Sequence, residues 1–412
     1  MSGGSRPELL FLSHRVPFPP HNGAAIRTLN ILRLLARDFR VSGLCYHRPD
    51  RATASVSLAS RIEEISRYGP FEVVPIPQCH SRARLLADHA RSVLTGRAYT
   101  WYVHQSTEAL DRVRQLLACR AFDLVHVDSL DLVRLLPLVA HLPVVCTHHN
   151  VESELLARRA RSERKALRRA YLLHQAALLR KAEAEWAPRV ALNVVVSAED
   201  VDELHRIAPG AATAVIPNGV DTDFFQPATD DEQSQSGCVF VGGTSWHPNR
   251  DALGWFVQEI LPLLRASGMT GPVTWVGSAT AEEHRRYADV PGFRLTGYVP
   301  DIRPYVHAAA CFIAPLRFGG GTRLKILDAW AMGKAVVSTP AGAEGLAATS
   351  GQQLLLAEDA PGFVEAVLRV LREPQLRRQL ATGGREHVES RFSWEVTGRQ
   401  LRDSYLSLVP GS

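Results

Sequence analysis

The chain has 412 residues, of which 46% are hydrophobic and 22% charged, and a formal net charge of +5. That length suits two domains that each bury a core, and the balance of apolar and charged residues excludes a disordered or low-complexity chain. The amino-terminal apolar run Leu9 to Leu12 is too short for a signal-peptide core, and no stretch approaches the roughly 20 apolar residues of a membrane span, so a cytoplasmic protein is expected.

Short runs rich in Val, Ile and Leu alternate with longer helical patterns, the signature of βαβ units and parallel sheets. The first series of strands is ELLFLS (8 to 13), VSGLCY (41 to 46), FEVVPI (71 to 76), FDLVHVD (122 to 128), PVVCT (143 to 147), ALNVVVS (191 to 197) and TAVIP (213 to 217). After the first run, Pro17, Pro19 and Pro20 stiffen a loop that leads to Gly23. His126 and Asp128 close the fourth run, either lining a binding edge or packed in the core. After the fifth run, alternation along the backbone sends His148 and His149 to opposite faces, so the two are not expected to share a metal ion. Glu152 either opens the next helix as an amino-terminal acid or meets a ligand.

Arg158, Arg159, Arg161, Arg164, Lys165, Arg168, Arg169, Arg180 and Lys181 follow in one helical stretch opposed by few acids. Such a stretch, residues 158 to 181, is either a solvated helix face or a contact with an anionic membrane surface. The six cysteines, Cys45, Cys79, Cys119, Cys146, Cys238 and Cys311, lack Cys-x-x-Cys spacing and read as buried thiols. No His, Cys or carboxylate cluster has metal-ligand spacing, and no metal or other cofactor is expected.

Polar and acidic residues dominate 218 to 237, which reads as a linker. A second series of strands follows: CVFVG (238 to 242), VTWVG (273 to 277), FRLTG (293 to 297), ACFIAPL (310 to 316), AVVST (335 to 339) and QLLLA (353 to 357). Several end in Gly or a small polar residue, where a parallel sheet presents its ligand-binding carboxyl edge. The pattern 392 to 409 is an amphipathic helix with Ser393 as its cap. The expected division is a domain over 1–217, a linker over 218–237, a second domain over 238–391, and a terminal helix over 392–412 that packs back on the first domain. Two such sheets facing a cleft suit a nucleotide-containing ligand bridged to a second substrate.

After the strand ending near Leu316, Gly319, Gly320 and Gly321 let the backbone bend and approach a ligand without Cβ interference. A helix is predicted from about Thr322 to Met332, with Leu324, Leu327 and Ala331 toward the core and Gly333 as its carboxyl cap. Helix amino termini favour acids, yet this one carries Arg323 and Lys325. Exposed N–H groups, the helix dipole and two cations together describe a site for a diphosphate. The competing reading is a surface ion pair between Lys325 and Asp328. A P-loop and a Gly-x-Gly-x-x-Gly dinucleotide turn are both absent, which argues against ATP hydrolysis and hydride transfer.

GGGTRLKILDAWAMGKAVVSTPAGAEGL (319 to 346), with IPNGVDTDFF (216 to 225), FVGGTSWHPNRDAL (240 to 253) and the closing FSWE, resembles family 4 of the retaining GT-B glycosyltransferases, in the subset with a Gly-Gly-Thr-Arg-Leu-Lys turn. The resemblance implies an α/β fold of two Rossmann-like domains, the second binding a nucleotide-diphosphate sugar and the first an acceptor. It implies catalytic roles for His149, Arg323 and Lys325. Donor contacts are implied for Gly23, Asn150, Gly243, Gly319, Gly320, Gly321 and Thr322, with Asp328 receiving the ribose hydroxyls. Where the family carries Glu, seven residues, Glu, this chain has Gly320 and Asp328; its Val241, Gly242, Gly243 lacks the usual following Arg and nearby Lys, a charge role left to Arg323 and Lys325, with Arg250 a weaker candidate. The implied function is retaining, metal-independent sugar transfer in polysaccharide, cell-envelope or glycoconjugate synthesis. The acceptor class (lipid-linked glycan, polysaccharide or small molecule) is open, and no nucleic acid is implied. A GT-B nucleotide-sugar epimerase and a non-catalytic membrane- or polyanion-binding protein are the alternatives.

Overall fold

The computed structural model describes residues 6–49, 56–77, 81–228, 236–320 and 322–409. Gly321, Cys79 and the 229–235 part of the expected linker lie outside them. The first series of apolar runs forms β1 (Glu8–Ser13), β2 (Arg40–His47), β3 (Phe71–Pro75), β4 (Leu124–Val127), β5 (Val144–Thr147), β6 (Leu192–Val195) and β7 (Thr213–Val215). The second forms β8 (Cys238–Val241), β9 (Val273–Val276), β10 (Phe293–Leu295), β11 (Cys311–Ala314), β12 (Val336–Ser338) and β13 (Leu355–Leu356). The strands pair in parallel, in the orders β3-β2-β1-β4-β5-β6-β7 and β10-β9-β8-β11-β12-β13. The chain separates into two compact units, Met1–Pro217 with Gly398–Ser412, and Asn218–Thr397.

The strands read as nearly unbroken apolar runs because helices cover both faces of each sheet. In the second unit Cys238, Phe240, Cys311, Ile313 and Val337 point to one core, and Val239, Phe312, Ala314 and Val336 to the other. Trp275 is fully buried and stacks on Phe240 with ring centroids 3.8 Å apart. Its indole N–H donates to the Gly242 carbonyl at 3.2 Å, tying the core to the turn after β8.

Several expectations are trimmed or changed. The glycine-stretch helix runs Leu324–Ala331, because Arg323 holds a non-helical backbone (φ −84°, ψ 82°), and Gly333 follows at φ +65°. The terminal helix is Trp394–Leu406, with Ser393 Oγ accepting from Val396 N at 3.3 Å. The described start of the expected linker, residues 218–228, belongs to the second unit: Val220 bridges Ser393, and Phe225 packs on a core cluster. From Gly398 this last helix clusters with the first unit, where the Tyr405 hydroxyl lies 2.7 Å from His126 Nδ1. Cys119 is exposed, whereas Cys45, Cys146, Cys238 and Cys311 are buried free thiols. No helix among the described residues is long and apolar enough to cross a membrane.

Trp275→Ala should cost about 3–5 kcal/mol, the range for emptying a buried aromatic site. Urea denaturation of the purified chain checks this, and a loss under about 1 kcal/mol would show that the Phe240–Trp275 stack does not hold the second core.

Candidate functional site

Strand order reverses between β8 and β11 in the second unit, and between β1 and β4 in the first. In open parallel sheets ligands bind at the carboxyl edge of such reversals. Both groups of candidate residues sit there.

In the second unit Gly242 and Gly243 follow β8, while Gly319 and Gly320 follow β11. Gly242 (φ +156°) and Gly319 (φ +151°) adopt backbones that side chains resist. A Cβ on Gly242 would stand 2.7 Å from Lys325 Nζ, so the missing side chain makes room for the amine. The helix Leu324–Ala331 positions that lysine: Ile326, Leu327, Ala329, Trp330 and Ala331 are buried, which turns Lys325 and Asp328 to the opposite side.

Lys325 Nζ donates to Asn249 Oδ1 at 2.6 Å and lies 4.0 Å from the Phe240 ring centroid. Asn249 Nδ2 donates to the Gly243 carbonyl at 2.9 Å, so the amide is oriented with its oxygen toward the amine. Burial holds the Lys325 amine well below its ordinary range, the Arg323 charge pushes it further down, and Asp328 opposes both. Burial raises the Asp328 carboxyl to about 7 against the pull of Lys325. The lysine therefore rests against a neutral amide and an aromatic face, with a like charge nearby, and its hydrogen bond goes to Asn249 and not to Asp328.

Arg323 is buried and turns back on its own loop. Its guanidinium donates to the Gly320 carbonyl and, at 2.9 Å, to the Ala341 carbonyl, and lies 3.6 Å from Glu344 Oε2. It braces the bend. Thr322 is buried beside it. Arg250 is taken up by Glu283 at 3.0 Å.

In the first unit the ends of β1, β4 and β5 converge on Asp128, which is fully buried. Its Oδ2 accepts from Thr28 Oγ1 at 2.8 Å and Ser13 Oγ at 3.1 Å, and its Oδ1 from Thr147 Oγ1 at 3.3 Å. His149 Nε2 lies 3.3 Å from Oδ1 and His14 Nδ1 3.2 Å from Oδ2. Burial alone would raise this carboxyl; the two histidines and their hydrogen bonds outweigh it and hold it well below the ordinary range. Burial lowers His149, and Asp128 opposes that shift. Asp128 thus stands against the His149 ring, 3.3 Å from Nε2, and favours its charged form. The sequence left Asp128 as edge or core; it is core, and through His149 it shapes the edge.

His148 goes the other way, to Asn193 Oδ1 at 2.9 Å. His126 stacks on Phe11 at 4.1 Å and is lowered to about 4 by burial, a core histidine. Gly23 is the first residue of the helix Gly23–Asp38, whose Asn22 cap accepts from Ala25 N at 3.0 Å. His149 and Asn150 line a pocket within the first unit, together with Trp101, Asp131, Glu152 and Glu183. Asn150 donates to Glu152 at 3.3 Å. Glu152 does open the next helix, and burial raises it to about 8.

His14, Asp128 and His149 each offer a ligand atom within 4.8 Å of the others. Sequence spacing missed this group because its members come from three separate strand ends. The ring of His14 is already engaged at both nitrogens: Nδ1 lies 2.9 Å from the Asp128 carbonyl, which can only accept, and Nε2 takes the Arg15 Nε–H at 2.7 Å. The donor set fits a hydrogen-bonded network better than a metal site. Asn249, Phe240 and His14 were likewise invisible as partners, since nothing in their local spacing names Lys325 or Asp128.

Asp128→Asn should lower the pH at which His149 titrates, followed by NMR of the ring, and cost about 1–3 kcal/mol of stability through the buried network. An unmoved titration would show that Asp128 does not set the state of His149.

Residues 21–224 match the family model described as Glycosyltransferase Family 4, and residues 235–373 the model described as Glycosyl transferases group 1. The lipopolysaccharide core biosynthesis glycosyltransferase LpsE of Rhizobium meliloti is 30% identical over 118 residues, 28% of this chain and 33% of that protein. The phosphatidyl-myo-inositol mannosyltransferase of Mycolicibacterium smegmatis is 28% identical over 206 residues, 48% of this chain and 53% of that protein. The chain thus spans between a third and about half of the length of these relatives. The structure of Anabaena HepE in complex with UDP and glucose matches 97% of this chain and 100% of its own with a TM-score of 0.69 at 15% identity, a likeness of fold.

Proposed function

From a GT-B fold whose two halves match glycosyltransferase family models, we propose that this chain moves a sugar, with retention at the anomeric carbon, from a nucleoside-diphosphate sugar to an acceptor hydroxyl. The observation that carries the reading is the Lys325 amine: desolvated, seated in the space left by Gly242 and, among the described residues, with no anionic partner in hydrogen-bond contact. A diphosphate supplies that anion. A neighbouring fold is in complex with UDP and glucose, and two relatives are named for sugar transfer in lipopolysaccharide and phosphatidylinositol chemistry, which supports an acceptor among cell-envelope glycoconjugates.

In the proposed reaction the bond from the anomeric carbon to the diphosphate oxygen breaks as the acceptor oxygen bonds to that carbon on the same face. The electron pair leaves with the diphosphate, and the acceptor proton passes to a phosphate oxygen. Lys325 stabilises the charge that grows on the leaving group, with the backbone amides of the glycine bend beside it. Arg323 holds the bend in shape. Asp328, raised to about 7, receives the ribose hydroxyls, and His149, oriented by Asp128, meets the sugar with Asn150. No divalent ion takes part in this scheme.

Lys325→Met should lower turnover at least about a hundredfold, the scale of one lost electrostatic donor, and weaken UDP binding in calorimetry while the circular dichroism spectrum is unchanged. Near-normal transfer by that variant sinks the reading. Because burial lowers the free amine, an anion bound to it raises its affinity for a proton; where the pH reaches the amine's titration range, UDP binding should take up a proton and affinity should fall as pH rises. Calorimetry in buffers of different ionisation enthalpy measures this, and Lys325→Met should abolish the uptake. Turnover should survive a chelator. Loss on chelation, restored by a divalent ion, would instead assign a metal to His14, Asp128 and His149. Incubation with the nucleotide sugar alone should give slow hydrolysis, and formation of an epimer would replace transfer with epimerisation.

A further inference from the structure

The helix Arg82–Thr95 is built inside out. Ala83, Leu86, Ala87, Ala90, Val93 and Leu94 recur at three- and four-residue spacing along one exposed face, with Leu86 68% and Leu94 84% exposed. Its inward face is polar: Asp88 and Ser92 are fully buried. Arg84 donates to Asp88 at 2.8 Å, Gln175 donates to Ser92 Oγ at 2.8 Å, and Ser92 Oγ donates to the Arg97 carbonyl at 2.7 Å. An ordinary surface helix presents its apolar stripe to the core and its charges to water. Here the polar groups are spent on the interior and the leucines face outward.

The neighbouring helix, Ala166–Trp186, supplies charge. It meets the first through Gln175 and through Tyr171, whose hydroxyl bonds His89. Leu86 lies within one turn of His89 and Leu167 within one turn of Tyr171, and Leu167 is 89% exposed. Around Leu167 stand Arg164, Lys165, Arg168 and Arg169, all exposed, and residues 158–181 hold nine cations against a single acid, Glu163. Arg168 is paired with that acid at 3.1 Å, Arg158 and Arg161 with Glu154, and Arg180 with Glu203, which leaves the excess at the start of the Ala166–Trp186 helix. Exposed leucines ringed by arginine match one environment in particular, the boundary of an anionic bilayer, where apolar side chains enter the acyl region and cations stay among the phosphates.

We propose that the outer face of the Arg82–Thr95 helix, with the basic start of the Ala166–Trp186 helix, docks the first unit on an anionic lipid surface. This goes beyond the sugar-transfer reading and stands without it. The occupant is the bilayer because the exposed leucines of two helices in mutual contact are accompanied by an excess of exposed positive charge at Arg164, Lys165, Arg168 and Arg169; a second copy of this chain would bring like charge against like.

The test is sedimentation of the full chain with vesicles of phosphatidylcholine, with and without phosphatidylglycerol. Binding should rise at least about tenfold with the anionic lipid and fall as salt is added. Leu86→Asp with Leu94→Asp, both at exposed positions, should lower binding at least about tenfold, and Arg164→Glu with Lys165→Glu should remove the dependence on phosphatidylglycerol, each with unchanged circular dichroism. Absence of vesicle binding, or equal binding by the leucine variant, overturns the proposal. A concentration-dependent dimer that the leucine variant abolishes, seen by light scattering without vesicle binding, assigns the face to self-association and overturns it too.

Discussion

A charge taken out of water needs a partner, and the two units meet that demand in different ways. Asp128 has its need filled from within: three hydroxyls and two histidine rings surround the carboxylate, which stays charged in a fully buried site. Lys325 does not. Its hydrogen bond goes to a neutral amide, its near neighbour is an aromatic ring, and the closest strong influence besides burial is the like charge of Arg323. A site that keeps a cation short of an anion is set up to receive one.

That shortage rests on the sheet beneath it. Phe240 under the amine is held by Trp275, and the Trp275 N–H reaches the Gly242 carbonyl, so core packing, the turn after β8 and the position of the amine form one rigid piece. Arg323 works differently from its neighbour two residues on. Its guanidinium is spent on the carbonyls of Gly320 and Ala341, and it shapes the loop whose amides the proposed diphosphate would use. Two cations in one turn thus divide into a brace and a binder.

The same accounting of polar groups explains the Arg82–Thr95 helix. Burial of Asp88 and Ser92 satisfies them only because Arg84 and Gln175 reach them, and the helix then has no apolar face left for the core. Its leucines are displaced outward by the geometry of the inner contacts. Local composition alone, with arginines and leucines interleaved, does not reveal which side faces in.

Strand identity and order of appearance were legible in the amino acids because a strand covered on both sides must be apolar along its length, as β1, β5, β8, β11 and β12 nearly are. At the sheet edges β3, β7 and β10 carry half-buried or exposed residues such as Glu72, Val215 and Arg294. The glycine bend, its helix and the presence of two cations were equally plain, since φ values such as that of Gly319 select glycine and a helix stripe selects its spacing. What only the tertiary structure decided is which polar group meets which. Asp128 collects Ser13, Thr28, Thr147 and His149 from segments far apart in the chain, and Lys325 finds Asn249 and the vacancy at Gly242 across two strand ends. Backbone periodicity is a local property that each segment carries by itself, whereas the pairing of buried charges depends on distances that exist only after the strands have been laid side by side.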